Sequence, residues 1–156
     1  MRRSRPNAAA GVEPTQVEIR PYQERDAAAT IQLWQEVFPD DPPWNDPSEV
    51  IRRKRNVQPE LFLVAVVGEQ LVGTVLAGFD GVRGWIHHLA VRPSTRRRGV
   101  ATRLMRAAED GLLRTGCPKI NLQVRATNAG VVALYRKLGY QVEDRVSMGK
   151  LLGRAG

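Results

Sequence analysis

A single cysteine, Cys117, stands in the 156 residues, so an internal disulfide is impossible and a reducing cytoplasm is the expected compartment. It follows Gly116 and precedes Pro118 with no histidine nearby in sequence, which reads as a structural thiol rather than a nucleophile. Long apolar runs are missing too. Residues 61–67 form one of the longest, far short of the roughly 20 needed to cross a bilayer. The first sixteen residues hold arginines and a short Ala-Ala-Ala-Gly-Val patch, not a signal-peptide core, and no membrane partner is expected.

Acidic residues are in deficit, 16 against 24 lysines and arginines, leaving a net charge of +8 that invites a nucleic-acid reading. Aromatic residues make up only 6% of the chain, and no stacking platform is interleaved with the basic ones. The charge is concentrated at Arg2, Arg3 and Arg5 and again at Arg96, Arg97 and Arg98, and is otherwise dispersed. A small anionic ligand accounts for that as well as DNA does, so nucleic acid is not the expected partner. The Gly-x-x-x-x-Gly-Lys-Ser/Thr and Gly-x-Gly-x-x-Gly signatures are both absent, which argues against nucleotide hydrolysis and a dinucleotide fold.

What is present suits one soluble globular domain: 42% hydrophobic and 26% charged residues. Residues 1–15, rich in arginine, proline and alanine, read as a disordered tail, and 16–152 as the domain. Val17, Ile19 and Tyr22 suggest a first strand. Asp26, or the residues just before it, would cap a helix with Ile31, Leu33, Trp34, Val37 and Phe38 on its buried face. Asp46, Pro47 and Glu49 form a helix start, and residues 47–57 a second helix whose Arg52, Arg53, Lys54 and Arg55 read as a solvated face. Residues 61–67, 71–79 and 85–91 form an antiparallel meander. A helix over 97–115, closed by Gly116, is followed by a strand at Ile120, Leu122 and Val124, and the crossover makes the two flanking strands parallel. Asn128 opens a helix to Leu138, and 140–151 reads as a last strand. The expected fold is α/β: a mixed, mostly antiparallel sheet with one parallel strand pair and helices on both faces.

Residues 89–105 carry the chemistry. An apolar strand end, Leu89, Ala90 and Val91, runs into a Pro93 turn, three arginines with Gly99, and an amphipathic helix. Helix-start amides point outward, Gly99 admits close backbone approach, and the arginines add charge-assisted hydrogen bonds, which together suit a pyrophosphate.

Three motifs in order, Leu89-Ala90-Val91-Arg92-Pro93, Arg96-x-x-Gly99-x-Ala101, and Asn128 with Tyr135 and Gly139-Tyr140, resemble the GNAT superfamily of acyl-coenzyme A-dependent N-acyltransferases. The resemblance spans 17–152. It implies that main-chain groups of Leu89, Ala90 and Val91 pair with the pantetheine arm of acetyl-CoA. Pyrophosphate binding then falls to Arg96, Arg97, Arg98, Gly99, Val100, Ala101 and Thr102. Asn128 would bond the arm, and Tyr135 would stand near the thioester sulfur as general acid. A main-chain N–H near Leu89 or Ala90 would face the oxyanion.

Many relatives carry a glutamate base where this chain has His87; an imidazole with an ordinary pKa near 6.5 can serve as base or anchor a relay water. His87 and His88 are neighbours on a strand, so their side chains are expected on opposite faces, and no metal is expected. Trp44, Glu49, Phe79, Asp80 and Trp85 are candidates for the acceptor cleft. The expected activity is acetyl transfer from acetyl-CoA to a primary amine by direct attack in a ternary complex. The acceptor, a protein N-terminus, a lysine or a small amine, is left open, as is the choice between monomer and homodimer. The alternative is a catalytically silent basic module that binds nucleic acid or an acidic partner.

Overall fold

In the computed structural model, residues 16–126 and 128–153 are described, and they form two compact units that divide after Gln123. The expected disordered tail at 1–15 lies outside the described residues.

The first unit is built on a five-stranded sheet in sequence order: β1 (Val17–Pro21), β2 (Phe62–Val67), β3 (Gln70–Phe79), β4 (Gly84–Val91) and β5 (Ile120–Leu122). β1 to β4 pair antiparallel and β4 with β5 parallel, as the helical crossover requires. The helices of this unit are α1 (Ala27–Val37), α2 (Pro47–Lys54) and α3 (Val100–Arg114). Two adjacent β3 residues show that α1 and α3 cover opposite faces. A Cβ on Gly73 would press on Val100 and Leu104 of α3, whereas the Thr74 hydroxyl accepts the Trp34 indole N–H of α1 at 2.8 Å.

The α1 and α2 side buries Leu33, Trp34, Val50 and Ile51 against Phe62, Val64 and Leu76. The α3 side buries Val100, Leu104, Ala108 and Leu112, a spacing that sets one stripe on the sheet. Each fully buried leucine here contributes about 1.5–3 kcal/mol by leaving water.

The helix starts differ in their chemistry. Asp46 caps α2 as expected, its carboxylate accepting the Glu49 N–H at 3.3 Å, and Pro47 occupies the first turn. Asp26 does not cap α1 with its side chain. It is buried, accepts the Gln23 N–H at 2.8 Å and pairs with Arg20 through bonds of 2.7 and 2.9 Å. Burial works against its charge, but the Arg20 guanidinium and the Gln23 N–H, with a smaller pull from Arg25, together outweigh it and hold the carboxyl below its ordinary range.

The solvated-face reading of α2 fails at one residue. Arg52, Arg53 and Arg55 are exposed, but Lys54 is half-buried and donates from Nζ to the Ala77 carbonyl at 2.6 Å. α2 also stops at Lys54 rather than Val57, and Val57 is exposed.

The second unit contains α4 (Ala129–Lys137), capped by Asn128, whose Oδ1 accepts the Val131 N–H at 3.3 Å. The strand expected over 140–151 does not form. Val142, Val146, Met148, Leu151 and Leu152 are all exposed. Alternation specifies a face, but a strand exists only where a neighbouring edge supplies its hydrogen bonds.

Candidate active site

β4 does not run straight. Thr74 pairs with Ala90 and Leu76 with His87, which leaves Val75 opposite both His88 and Leu89. This β-bulge puts His88 at φ +50°, a left-handed conformation that is rare for a non-glycine residue. A buried chain fixes it: Trp34 Nε1–H donates to Thr74 Oγ1, which donates to the His88 carbonyl at 3.0 Å. The simple alternation expected for the two histidines is therefore broken. The imidazole of His88 packs on Trp34, with ring centres 4.5 Å apart, and meets the edge of Phe38 at 5.6 Å. Its Nε2 lies 3.9 Å from Asp41 Oδ2. Burial, with a smaller push from His87, takes its pKa down to about 4.

His87 keeps part of its side chain in solvent. Surrounding protein still holds its pKa below the usual 6.5, and the charge of Lys54 lowers it further. Lys54 is itself lowered by burial, with Glu60 opposing.

Pairing of β4 with β5 ends at Ile86 and Leu122. Among the described residues, Leu89, Ala90 and Val91 therefore have β3 on one side and no strand of the first unit on the other. From there the chain passes through a 3-10 turn, Pro93–Thr95, into Arg96, Arg97 and Arg98, all exposed. The helix begins at Val100, not at Arg97 as the residue pattern suggested, because Arg97 (φ +68°) and Gly99 (φ +74°) are both left-handed. No side chain caps α3 at Gly99. Left-handed residues interspersed in a turn draw main-chain N–H groups into an anion-binding concavity. The helix end adds the amides of Val100, Ala101 and Thr102, which have no partner within the helix.

Of the five cleft candidates, Trp44 (54% exposed) and Glu49 lie on the α1–α2 connection and α2, while Phe79, Asp80 and Trp85 gather at the β3–β4 turn. Glu49 bonds Arg52 at 2.6 Å. Asp80 accepts the N–H groups of Val82 and Arg83, both at 2.8 Å, and so shapes the turn. Gln58 holds Phe79 by its main chain, accepting its N–H at 2.7 Å and donating to its carbonyl at 3.0 Å. In the second unit Tyr135 is buried (8% exposed), its ring 5.7 Å from that of Tyr140. Burial pushes its phenol up to about 12. Cys117 is buried, its Sγ 3.3 Å from the Lys119 carbonyl.

The profile of the acetyltransferase (GNAT) family matches residues 27–140. The chain belongs to that family. An acetyltransferase from Yersinia enterocolitica is 44% identical over 138 residues, covering 87% of this chain and 96% of the relative. This GNAT protein is accordingly an acyl-CoA-dependent acetyltransferase. Among solved structures, an aminoglycoside N-acetyltransferase in complex with CoA superposes with a TM-score of 0.71 at 19% identity, over 87% of this chain and 95% of that one. The ribosomal-protein-S18-alanine N-acetyltransferase of Escherichia coli gives 0.66 at 22%, over 80% and 77%. At such identities these two show the fold.

The residue pattern missed the β4 bulge and, with it, the placement of His88 and Asp41. The one available signal was two histidines immediately before a Leu-Ala-Val strand end. Among the described residues no cluster of three or more His, Cys, Asp or Glu is placed to hold a metal, and no helix is long and apolar enough to cross a membrane.

Proposed function

We propose that this acetyltransferase passes an acetyl group from acetyl-CoA to a primary amine by direct attack in a ternary complex. The observation that carries the reading is the continuity of two features: the β4 edge at Leu89–Val91 left unpaired by β5, and the doubly left-handed turn at Arg97 and Gly99. An extended edge suits an amide-bearing arm, and a basic concavity at a helix start suits a pyrophosphate.

Acetyl-CoA, when bound, supplies the acyl group as an activated thioester. The amides from Arg97 to Thr102 and the guanidiniums of Arg96, Arg97 and Arg98 hold the phosphates, while Leu89, Ala90 and Val91 align the arm. The carboxamide of Asn128, whose Oδ1 is engaged in capping α4, offers its NH2 end to the arm. Tyr135 keeps its phenolic proton throughout the neutral range and serves as the general acid. His87, neutral at pH 7, takes the amine proton or anchors the water that does. Trp44, Glu49, Phe79, Asp80 and Trp85 stand around the acceptor's approach. Two names favour an amine acceptor in general: one neighbour is called an aminoglycoside N-acetyltransferase and another acts on an alanine of a ribosomal protein.

Calorimetric titration with acetyl-CoA at physiological salt, followed by an amine screen read by free-thiol release, tests the proposal. Saturable binding and amine-dependent thiol release are expected. No saturable binding would remove it.

A further inference from the structure

We propose that Lys54 and Gln58 are positioning residues for acetyl transfer, clamping the far edge of β3 so that the β4–β5 pair, and His87 just beyond it, hold their place. The inference rests on the acetyltransferase reading and adds to it two side chains that act through the sheet.

β2 stops short at this end of the sheet. It begins at Phe62, opposite Leu76, so Ala77, Gly78 and Phe79 run on past it without a β2 partner. An edge left in this way carries main-chain groups in need of partners. Side chains supply them. Lys54 Nζ donates to the Ala77 carbonyl at 2.6 Å. The Gln58 carboxamide acts as the peptide group of a neighbouring strand would: its Oε1 accepts the Phe79 N–H at 2.7 Å, and its Nε2 donates to the Phe79 carbonyl at 3.0 Å. Both heads close on Gly78, where a Cβ would lie 3.4 Å from Gln58 Oε1 and 3.7 Å from Lys54 Nζ.

Gln58 reaches this edge from a left-handed backbone, φ +48°, between the end of α2 and the turn Pro59–Leu61. A non-glycine residue is seldom held so unless its surroundings fix it.

The clamped part of β3 is the part that backs β4 where β4 meets β5. Ala77, Gly78 and Phe79 pair with Ile86, Trp85 and Gly84, and those same β4 residues pair with Leu122, Asn121 and Ile120. Gly84 is pinned from the β5 side as well. Its N–H donates to the Lys119 carbonyl at 2.8 Å, and a Cβ there would lie 2.7 Å from Cys117 Sγ. Gln58 therefore ends a row that runs through Phe79 and Gly84 to β5, and His87 is the first residue of β4 beyond the paired stretch. Lys54 adds a charge to the clamp. Burial comes first in favouring the neutral imidazole of His87, and the Lys54 ammonium second. The other titratable groups here are His88, lowered by burial and then by His87, and Glu60, which opposes the lowering of Lys54 by burial.

The test uses the full chain in three variants: Gln58→Met, which keeps length and removes both bonds, Lys54→Met, and Lys54→Arg, which keeps a charged donor. Each is read by amide exchange, by the His87 imidazole titration, and by thiol release from acetyl-CoA with butylamine and a trialanine amide as acceptors. Gln58→Met should quicken exchange at Gly84 about tenfold relative to Val64 in β2, the scale of one hydrogen bond. Its kcat should fall about tenfold or more, with the KM for acetyl-CoA within about twofold of the parent, because a small misplacement of a reacting group slows the chemistry. Lys54→Met should raise the His87 midpoint toward the ordinary value near 6.5, and Lys54→Arg should keep the parent's midpoint. Equal quickening at Gly84 and Val64, or an unchanged kcat in Gln58→Met, would overturn the clamp. A His87 midpoint shared by Lys54→Met and the parent would overturn the part given to Lys54. No thiol release from the parent with any amine would instead defeat the transfer reading, and exchange and titration would still decide the clamp.

Discussion

Trp34 and Thr74, forty residues apart, meet at 2.8 Å in the buried layer between α1 and the sheet, and the same hydroxyl passes the connection on to His88. One side chain thereby couples a helix to the bulge that shapes β4. Thr74→Val keeps the volume and deletes the hydroxyl, leaving the indole N–H and the His88 carbonyl without that partner. A loss of about 1–3 kcal/mol is expected in urea unfolding, because buried groups stripped of a partner bear their full desolvation cost. If the bulge depends on this chain, amide exchange at His88 and Leu89 should quicken more than at β2. Uniform quickening across the sheet would detach the bulge from Thr74.

Burial gives His88 an acid-sensitive role in stability. Its pKa in the fold, about 4, lies below the ordinary 6.5, so the unfolded chain takes up a proton first as the pH falls. The stability is complete above pH 6.5 and declines toward pH 4, by about 3 kcal/mol over that window. The groups facing the ring are Asp41 and His87. His88→Asn, a residue that accepts left-handed backbone, should flatten the stability curve between pH 6.5 and 4 relative to the parent. Identical slopes in the two proteins would contradict the assignment.

Gly99 tests the turn through its backbone. A Cβ there meets no atom within 4 Å, so crowding inside the protein is not the obstacle. The obstacle is φ +74°, which costs a β-branched residue about 1–2 kcal/mol. Gly99→Val should raise the dissociation constant for acetyl-CoA about tenfold or more, while Gly99→Asn should restore most of the affinity. Equal affinity in all three proteins would place the phosphates elsewhere.

For Gly73 the obstacle is the opposite one. An added methyl would lie 2.9 Å from Leu104 Cδ1, 3.1 Å from Val100 Cγ1 and 3.1 Å from the Ala90 carbonyl. Gly73→Ala should therefore cost about 1–3 kcal/mol by overpacking, read as a lower midpoint in thermal unfolding. Adding Leu104→Val should recover part of it by withdrawing the branch that clashes.

Tyr135→Phe separates chemistry from binding. The buried phenol, at about 12, is protonated at every working pH. Its removal should lower kcat about a hundredfold, the smaller end of general-acid effects, with the KM for acetyl-CoA little changed. Parallel loss of affinity would make the residue a binding group instead.

Much of this protein was legible in its residues. Asp46 before Pro47 marked a helix start, the stripe Val100, Leu104, Ala108 and Leu112 a helix with one buried face, and the helical crossover a parallel β4–β5 pair. Local propensity and period decide such features, and both are written within a few residues. The family motifs lie in the same short windows, so the acetyltransferase identity was legible too. Tertiary contacts decided the rest. Gly99 and Arg97 turned left-handed and moved the start of α3 three residues on; Lys54 left its charged neighbours to reach the Ala77 carbonyl; the strand expected over 140–151 did not form, and 141–152 are exposed. The bulge at His88 belongs to this second class. It depends on a threonine from β3 and a tryptophan from α1, two positions that only the folded chain brings to β4.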